Sequence, residues 1–384
     1  MSKNKNLGIN TKCVHVGEVE DKQFKGAVSP IYMATSYAFD GVDVKRYPRY
    51  FNTPNQEMLC KKIATLENCE AGLIFGSGMA AISAALFAFL KTGDHVIIQQ
   101  VIYGGTYNLI VEEFEKYGIE YSFTDSDKIE DFIPLIKENT KVLYIETPSN
   151  PLLGITDIKA IASLAKEQNI ITMIDNTFAS PINQTPADFG IDIILHSATK
   201  YMGGHSDISA GAIAASQEHI DLIWKTAINF GGNLSDQTVW LLERSLKTLN
   251  LRVKEQTKNA QIMAEYFESN SNFEKVYYPG LKSHPQHKLA KSQMHGFGAM
   301  LSFELKEGID AMDFQRNLKL IKPSLSLAGL ESTTVSPAQT THALLSEEER
   351  LKRGISDGLI RFSVGIEETK DLIADIEQAL SSIQ

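Results

Sequence analysis

Short apolar runs rich in β-branched residues alternate with longer segments of helical periodicity through the middle of the chain. The runs are typical of buried strands, and the segments between them carry apolar positions at helix spacing. Because parallel strands need crossover connections, this alternation predicts βαβ units in a mostly parallel sheet that helices cover on both faces. The predicted strands include 95–99, 142–146, 170–175 and 191–195, and the predicted helices include 105–117 and 157–167.

One stretch, 71–90, contains no charged residue and is long enough to cross a bilayer. The sequence Gly76-Ser77-Gly78 interrupts it, which favours a buried strand over 71–75, a tight turn, and a helix over 79–90. Such a helix would be about 18 Å long, too short to span the hydrocarbon core. We therefore expect no membrane partner.

The two ends of the chain depart from this central pattern. The first fifty-odd residues are irregular, and glycines and prolines punctuate their short apolar runs, which predicts an extended arm rather than a domain. A long helix, straight or bent, is predicted over 235–269, with Ser235 as its N-cap. The predicted boundaries are an arm at 1–55, a large α/β domain at 56–242 and a C-terminal domain at 243–384.

The C-terminal domain is predicted to be a smaller α+β unit. Its strands are expected near 276–278, 300–304 and 359–363. A charged helical turn at 346–352 and an amphipathic helix at 367–380 complete it. No internal repeat and no low-complexity tract is visible.

Charge and cysteine content narrow the class of protein. The chain carries 37 Lys and Arg against 47 Asp and Glu, a formal net charge of −10 with both signs interspersed. This balance disfavours nucleic acid or an anionic membrane as the main partner. Three cysteines, Cys13, Cys60 and Cys69, form no CxxC motif and leave an odd number, which indicates free thiols. The N-terminal segment is polar and lacks the apolar core of a signal peptide. Together with the free thiols, this favours a cytoplasmic location.

The candidate chemistry centres on Lys200, which closes the apolar run that begins at residue 191. Asp175 ends the preceding apolar run. An amine can form a Schiff base with the aldehyde of pyridoxal 5′-phosphate (PLP), and a carboxylate can keep its pyridine nitrogen protonated. The hydroxyls of Ser197 and Thr199 stand beside the lysine and can bind the phosphate. An isolated lysine after a strand would be an ordinary surface residue, but these companions indicate a PLP site.

Three further motifs fit the same ligand. The turn at 76–79 leads from a strand into a helix, where free backbone N–H groups can bind an anion. Tyr103 follows a predicted strand, at the sheet edge where ligands of α/β proteins bind. Tyr47 and Arg49 in the arm offer a phenol and a guanidinium for phosphate oxygens. Each motif is ambiguous alone, and their combination supports one cofactor.

Histidines and aspartates elsewhere do not predict a metal centre. A dedicated metal site needs three or four converging ligands, and PLP chemistry needs none. His205, Asp207, His284 and His287 are therefore expected to be structural or surface residues. We expect no bound metal.

With these motifs, the chain resembles, over nearly its whole length, the cystathionine-metabolism (transsulfuration) family of fold-type I PLP-dependent enzymes. This family includes methionine γ-lyases, cystathionine γ-lyases and β-lyases, and cystathionine γ-synthases. The resemblance implies a mostly parallel sheet, covered by helices, that binds PLP within residues 56–242. It also implies a smaller α+β C-terminal domain. The motifs are Glu-Thr-Pro-Ser-Asn-Pro at 146–151, Asp-Asn-Thr-Phe at 175–178, Ser-Ala-Thr-Lys-Tyr at 197–201, Gly-His-Ser-Asp at 204–207 and Ile-Arg-Phe-Ser-Val-Gly at 360–365.

The resemblance implies a role for each matching residue. Lys200 would be the Schiff-base lysine and the base that removes the substrate α-proton. Asp175 would bind the pyridine nitrogen, and Tyr103 would stack on the cofactor and protonate the departing sulfur. The residues implied to bind the phosphate are Gly78, Met79, Ser197 and Thr199, with Tyr47 and Arg49 supplied by a neighbouring subunit.

That sharing implies a homo-oligomer, with a dimer as the minimal active unit and a tetramer as its common form. The substrate would be a small amino acid, and its α-carboxylate would be bound by Arg361, Ser326 and Asn150. Leu325 stands directly before Ser326, where the family's cystathionine γ-lyases and many γ-synthases have glutamate and its methionine γ-lyases tend to have an apolar residue.

These features favour a lyase that breaks C–S bonds in sulfur amino acids, either a methionine γ-lyase or a cystathionine lyase. Leu325 favours methionine, because an apolar wall suits a thioether and would leave the distal ammonium of cystathionine unpaired. Gly105 favours the other substrate, since many methionine γ-lyases resemble one another in having cysteine there. The alternatives are a cystathionine γ-synthase or O-acylhomoserine sulfhydrylase, and a homologue that binds PLP without catalysis.

Overall fold

The computed structural model describes residues 7–340 and 346–383, so the first six residues of the predicted arm lie outside it. The chain divides into two compact units. Unit 1 comprises Met1–Glu146 and Thr156–Asn250, and unit 2 comprises Thr147–Ile155 and Leu251–Gln384. A short excursion, 147–155, therefore belongs to unit 2 although unit 1 flanks it on both sides.

Unit 1 is built on a seven-stranded sheet in the order β1-β7-β6-β5-β4-β2-β3. The pairs β2–β3, β2–β4, β4–β5 and β5–β6 are parallel, whereas β7 is antiparallel to both of its neighbours. The predicted mostly parallel sheet is confirmed. Its strands are β1 (Ala71–Phe75), β2 (His95–Ile98), β3 (Glu120–Phe123), β4 (Thr140–Glu146), β5 (Ile171–Asp175), β6 (Ile193–His196) and β7 (Gly211–Ala215).

Local sequence explains where the helices of unit 1 begin. The side chains of Ser77, Asp157 and Ser216 each accept a hydrogen bond from a first-turn N–H group of the helix that follows. Thr53 and Gln56 form a complete capping box. The helices are α1 (Ile9–His15), α2 (Pro54–Leu66), α3 (Gly78–Phe89), α4 (Gly104–Glu113), α5 (Ile158–Gln168), α6 (Ser180–Asn183), α7 (Gln217–Phe230) and α8 (Asp236–Leu246).

The uncharged stretch at 71–90 forms a strand, a turn and a helix. The strand β1 has the predicted bounds, and α3 begins at Gly78, one residue earlier than predicted. Every residue of β2, β6 and β7 is buried, as expected of strands covered on both faces. Within residues 7–340 and 346–383, no helix combines the length and hydropathy needed to cross a bilayer.

Unit 2 contains a five-stranded sheet in the order β10-β11-β12-β9-β8, antiparallel except for the β10–β11 pair. Its core is aromatic, with the Phe267 and Phe303 rings 4.4 Å apart between centroids and Phe314 and Phe362 nearby. Its elements are α9 (Leu249–Ser269), β8 (Phe273–Tyr277), α10 (His287–Gln293), β9 (Met300–Leu305), α11 (Ala311–Asn317), β10 (Lys322–Pro323), β11 (Thr333–Val335), α12 (Glu347–Lys352), β12 (Leu359–Ser363) and α13 (Thr369–Ser381).

The long helix predicted at 235–269 is divided into α8 and α9. Between them, two backbone N–H groups bond to the carbonyl three residues earlier instead of four: Lys247 N donates to Arg244 O, and Thr248 N donates to Ser245 O. The hydroxyl of Thr248 also donates to Ser245 O, so it competes with the helical pattern. Ser235 occupies the N-cap of α8, but its hydroxyl bonds to that of Thr238 and not to a backbone N–H group.

The arm before α2 is largely irregular and carries exposed apolar side chains. Phe24 is 80% exposed and Phe39 is 79% exposed. Ser29 anchors the arm, because its hydroxyl donates to Glu243 on α8 and accepts from the N–H group of Val19. The arm is thus attached to unit 1 while much of its apolar surface stays uncovered within this chain.

Candidate active site

Two candidate residues, Asp175 and Lys200, lie with Glu146 at the carboxyl edge of the parallel strands. Asp175 is the last residue of β5, Glu146 is the last residue of β4, and Lys200 lies in the turns after β6. Glu146 pairs with Asp175 in the strand register, and Asp175 pairs with Leu195. Parallel strands end at the same edge, so the sheet brings these groups together where α/β proteins bind ligands.

The start of α3 and the loop after β6 touch each other. A Cβ atom on Gly78 would lie 2.8 Å from Cβ of Ser197, so only glycine fits without displacement. In this first turn the N–H groups of Gly78 and Met79 have no acceptor within the helix. The arrangement combines free N–H groups, a positive helix end and the Ser197 hydroxyl, which fits the phosphate of PLP.

The loop around Lys200 is fixed by its own hydrogen bonds. Lys200 N donates to Ser197 O at 3.1 Å, and Gly204 N donates to Lys200 O at 2.7 Å. The Thr199 hydroxyl donates to Ala210 O and accepts from Ala210 N. Thr199 was predicted to bind phosphate, and here its hydroxyl ties the lysine loop to the start of β7. One lone pair of that hydroxyl remains for a ligand donor.

Asp175 is a buried carboxylate at the strand edge, 6% exposed. Burial raises its pKa, while hydrogen bonds from Thr177 and the nearby His196 act in the opposite direction. Thr177 N donates to its Oδ1 at 3.0 Å. A buried carboxylate is stabilised by a cationic partner, so this group fits the protonated pyridine nitrogen of PLP.

Tyr103 is held at the start of α4 by a neighbouring strand end. Its N–H group donates to Glu146 Oε2 at 2.7 Å, while 48% of the residue stays exposed. A Cβ atom on Gly105 would lie 2.5 Å from Tyr103 Cε1 and 3.0 Å from Met79 Sδ. The glycine therefore leaves the space that the tyrosine ring occupies. Glu146 was part of a quoted motif, but its contact with Tyr103 had no local sequence signal.

Tyr47 and Arg49 lie in the arm and contact each other. The Arg49 Cζ atom is 5.7 Å from the Tyr47 ring centroid and 5.2 Å from that of Tyr50. Arg49 Nη1 donates to Ile228 O at 2.6 Å. Among the described residues, these contacts are with the arm and α7, so the structure does not bring the pair to Lys200 of the same chain.

In unit 2, Arg361 lies on β12 and is 3% exposed. Its Nη1 donates to Asn150 Oδ1 at 3.1 Å and its Nη2 donates to Leu325 O at 3.2 Å. Both acceptors are neutral, and no carboxylate of the described residues forms an ion pair with it. Burial lowers the pKa of the guanidinium to about 10, so it remains charged at neutral pH. Such a charge fits an anionic ligand.

Leu325 and Ser326, the residues predicted beside Arg361, differ in their exposure to solvent. Leu325 contacts the guanidinium only through its backbone carbonyl, and its residue is 66% exposed. Ser326 is half-buried. The structure thus brings Arg361, Asn150 and the Leu325 backbone together, and it leaves the Leu325 side chain accessible.

Sequence reasoning missed a buried polar cluster beneath the strand ends. Glu67 Oε1 lies against His196 Nε2 and accepts from Asn176 Nδ2 at 2.9 Å. Asn176 also exchanges hydrogen bonds with Gln184. Glu67 and His196 are separated by 129 positions, so no local motif joins them.

The histidines considered for a metal are used in other ways. His284 Nδ1 accepts from Gln286 N, and His287 Nδ1 bonds to Pro279 O. His205 Nδ1 bonds to Gly203 O at 2.7 Å. Over the described ranges, no three His, Cys, Asp or Glu side chains converge as a metal site would require.

The strand-edge lysine, the buried aspartate and the anion-binding turn define the fold-type I class of PLP-dependent enzymes. The profile of the family described as "Cys/Met metabolism PLP-dependent enzyme" matches residues 10–381, and the chain belongs to this family. PLP is therefore its cofactor, and the predicted family and fold class are confirmed.

Named relatives are enzymes of sulfur amino-acid metabolism. The chain is 44% identical over 376 residues to cystathionine beta-lyase of Lactococcus lactis subsp. cremoris, covering 97% of this chain and 98% of the relative. It is 40% identical over 395 residues to L-methionine gamma-lyase of Fusobacterium nucleatum subsp. nucleatum, covering 99% of both. The crystal structure of cystathionine gamma-lyase from Lactobacillus plantarum, complexed with L-serine, superposes with a TM-score of 0.94 at 40% identity, covering 98% and 100% of the two chains.

Proposed function

We propose that this protein is a PLP-dependent carbon–sulfur lyase that cleaves a thioether amino acid, either L-cystathionine or L-methionine. The observation that carries the proposal is the buried Arg361 guanidinium, which is charged and has only neutral partners among the described residues. It suits the α-carboxylate of an amino acid. The lyase names of relatives at 40–44% identity support the reaction class.

When bound, PLP supplies an electron sink conjugated to the substrate α-carbon. Asp175 would bind its protonated ring nitrogen: burial raises the pKa of this carboxyl group, and the hydrogen bonds from Thr177 act in the opposite direction and favour the ionised form that this contact needs. The N–H groups of Gly78 and Met79 would bind the phosphate, together with the Ser197 hydroxyl. These residues fix the cofactor before any substrate arrives.

The proton transfers are assigned to two side chains of the chain. Lys200 would hold the cofactor through its amine, and the same amine would take the proton from the substrate α-carbon. Tyr103 supplies a proton to the departing sulfur, and its position depends on Glu146 and Gly105. Arg361 and Asn150 orient the carboxylate so that the reacting bond is fixed.

The proposal includes a homodimer or a pair of dimers located in the cytoplasm. The exposed apolar arm supports it, since a monomer gains nothing by exposing Phe24 and Phe39 to water. Tyr47 and Arg49 would complete the phosphate site of the second copy. Mixing Arg49→Ala with Lys200→Ala protein should then restore part of the activity, because one of the two mixed sites is intact. No recovery after demonstrated subunit exchange would contradict subunit sharing.

The choice between the two substrates rests on Leu325. Its exposed side chain offers an apolar surface and no partner for the distal ammonium of cystathionine. The cystathionine lyase names among the relatives favour the other choice. Leu325→Glu should raise kcat/KM for cystathionine relative to methionine by roughly tenfold. An unchanged ratio would remove Leu325 from the argument.

The deciding experiment incubates the protein with each substrate separately and identifies products by mass spectrometry. Methanethiol with 2-oxobutyrate from L-methionine would establish a methionine γ-lyase. Cystathionine cleavage would establish a cystathionine lyase, and release of cysteine or of homocysteine would identify the γ or β bond. Lys200→Ala serves as the control and should be inactive. Silence on both substrates would contradict the lyase proposal and favour γ-replacement.

A further inference from the structure

One face of the sheet in unit 2 carries a row of buried polar side chains around Arg361. Arg361 lies directly opposite Ser302 of β9 in the strand register, and Ser363 follows two positions later on β12. Cross-strand partners and residues two apart on a strand share one face of a sheet, so the three side chains lie side by side. Ser302 has no exposed surface, and Ser363 is 2% exposed. Hydroxyls this deeply buried need hydrogen-bond partners, and those partners indicate what the row does.

The hydroxyl of Ser302 holds the segment that carries Asn150. Its Oγ donates to Pro151 O at 2.7 Å, and the neighbouring Arg361 Nη1 donates to Asn150 Oδ1 at 3.1 Å. Two adjacent groups on the sheet therefore hold two adjacent residues of the excursion at 147–155. Because Ser302 bonds to a backbone carbonyl, it fixes the path of the chain at the point where Asn150 leaves it.

Ser363 holds the segment that carries Leu325 and Ser326 in a similar way. Ala328 N donates to Ser363 Oγ at 2.7 Å, while Arg361 Nη2 donates to Leu325 O at 3.2 Å. Ala328 is buried and has φ at +63°, a left-handed conformation that residues other than glycine seldom adopt. Since that conformation costs free energy, surrounding contacts must hold the backbone there, and Ser363 supplies one of them.

We propose that Ser302 and Ser363 are positioning residues for the substrate α-carboxylate, because they fix the two chain segments that border Arg361. The inference rests on the proposed function, in which Arg361 and Asn150 bind that carboxylate. A guanidinium has five N–H donors, and Arg361 also has to turn donors toward the ligand. The serines keep both segments in place through backbone atoms, so the site retains its shape when the carboxylate binds.

The test compares two amines that differ in the carboxylate. L-Alanine has the amine and carboxylate of the substrate but no γ-leaving group, and ethylamine lacks the carboxylate. The dissociation constant of each is measured on the PLP-bound enzyme from the change in the visible absorbance of the cofactor. Ser302→Ala and Ser363→Ala should each weaken alanine binding about tenfold and leave ethylamine binding within about twofold of the parent. An equal loss for both amines, or no loss for alanine, would overturn the proposal.

Thr334→Val is the matched control. Thr334 is 3% exposed on β11 of the same sheet and pairs with Phe362, so its side chain lies on the face opposite to Ser363. Its hydroxyl accepts from Gln315 Nε2, so the variant loses a buried hydrogen bond away from Arg361. Binding of both amines should stay within about twofold of the parent. Alanine binding weakened as much as in the serine variants would show that any lost hydrogen bond of the sheet disturbs the site, and would overturn the assignment.

Arg361→Met separates a failure of this inference from a failure of the proposed function. It should remove most of the preference for alanine over ethylamine. If it does so while the serine variants bind alanine like the parent, the positioning role is wrong and the carboxylate site stands. If Arg361→Met keeps the preference, the carboxylate is bound elsewhere and both proposals are wrong. Ser302 and Ser363 act on different segments, so poor folding of one variant leaves the other to decide.

Discussion

Arg361 in unit 2 and His196 in unit 1 are both buried groups that can carry positive charge, and the fold treats them differently. They are 3% and 2% exposed. His196 lies against the carboxylate of Glu67, whereas the partners of Arg361 among the described residues are the neutral oxygens of Asn150 and Leu325. The contact between His196 and Glu67 lies within unit 1 and holds together segments of the fold. A buried charge left without a counter-ion is a cost that a ligand can repay.

Substitution of Arg361 should break this comparison most strongly. Arg361→Met removes two charge-assisted hydrogen bonds to the substrate carboxylate, each worth roughly 2 kcal/mol, and should lower kcat/KM by about 10³-fold. Stability should be unchanged or higher, because an uncompensated buried charge has been removed. Steady-state kinetics and urea unfolding of the PLP-bound enzyme measure the two effects.

Arg316→Met is the control for that variant. Arg316 also lies in unit 2, but its side chain is 67% exposed and pairs with Asp313 on the same helix. Its loss should change kcat/KM by less than about twofold. A large loss of stability in Arg361→Met would mean that the guanidinium supports the fold, and the contrast with His196 would disappear.

Substitution of Glu67 should show the opposite balance. Glu67→Leu leaves His196 and the Asn176 amide without their acceptor and should lower the free energy of unfolding by about 3–5 kcal/mol. Adding His196→Leu should restore part of this loss, since apolar replacement of both partners is often tolerated. Urea unfolding of the single and double variants checks the coupling, and additive losses would exclude a pair.

Asp175 offers a third case, a buried anion prepared for a cationic ligand. Its pKa is raised by burial, so its ionised form destabilises the apo protein as the pH rises through that pKa. Asp175→Asn should therefore make the apo protein more stable than the parent at pH 7. The difference should shrink at acid pH, where the aspartate is protonated. Thermal unfolding across pH tests this, and a pH-independent difference would contradict it.

His95 is the neutral case in this comparison, and its expected effect is confined to acid pH. Its ring nitrogens contact the hydroxyls of Thr140 and Ser122, and burial lowers its pKa to about 4. Below its ordinary pKa of 6.5 the unfolded chain binds a proton that the folded chain refuses, so stability falls between pH 6.5 and 4. His95→Gln should remove the contribution of His95 to this fall and leave stability at neutral pH nearly unchanged. A ¹⁵N-histidine spectrum at pH 6 that shows a doubly protonated His95 would contradict its lowered pKa.

Local patterns sufficed for much of the fold. The apolar runs at β2, β4, β5 and β6 are recognisable because both faces of each strand are buried, so nearly every position is hydrophobic. The break between α8 and α9 was not predicted. The break consists of the i→i−3 hydrogen bonds of Lys247 N and Thr248 N. The residues that form it are all compatible with a continuous helix, so the sequence does not reveal it.

The candidate site also contains residues with a local sequence signal and residues without one. Lys200 and Asp175 could be predicted, because each ends or follows a strand and carries a side chain unsuited to a core. The roles of Glu67 and Glu146 could not. Glu67 follows a helix and has the sequence pattern of a surface residue, and only the folded chain brings it to His196. Polar clusters between distant segments have no periodicity to reveal them.

The excursion at 147–155 gives the molecule an unusual assembly order. On the ribosome this segment is made before the remainder of unit 2, to which Asn150 and Pro151 bond through Arg361 and Ser302. Asn150 is therefore synthesised long before Arg361, its hydrogen-bond partner on the last strand, β12. A cut at residue 250 would separate them, so the C-terminal piece expressed alone would lack part of its own interior.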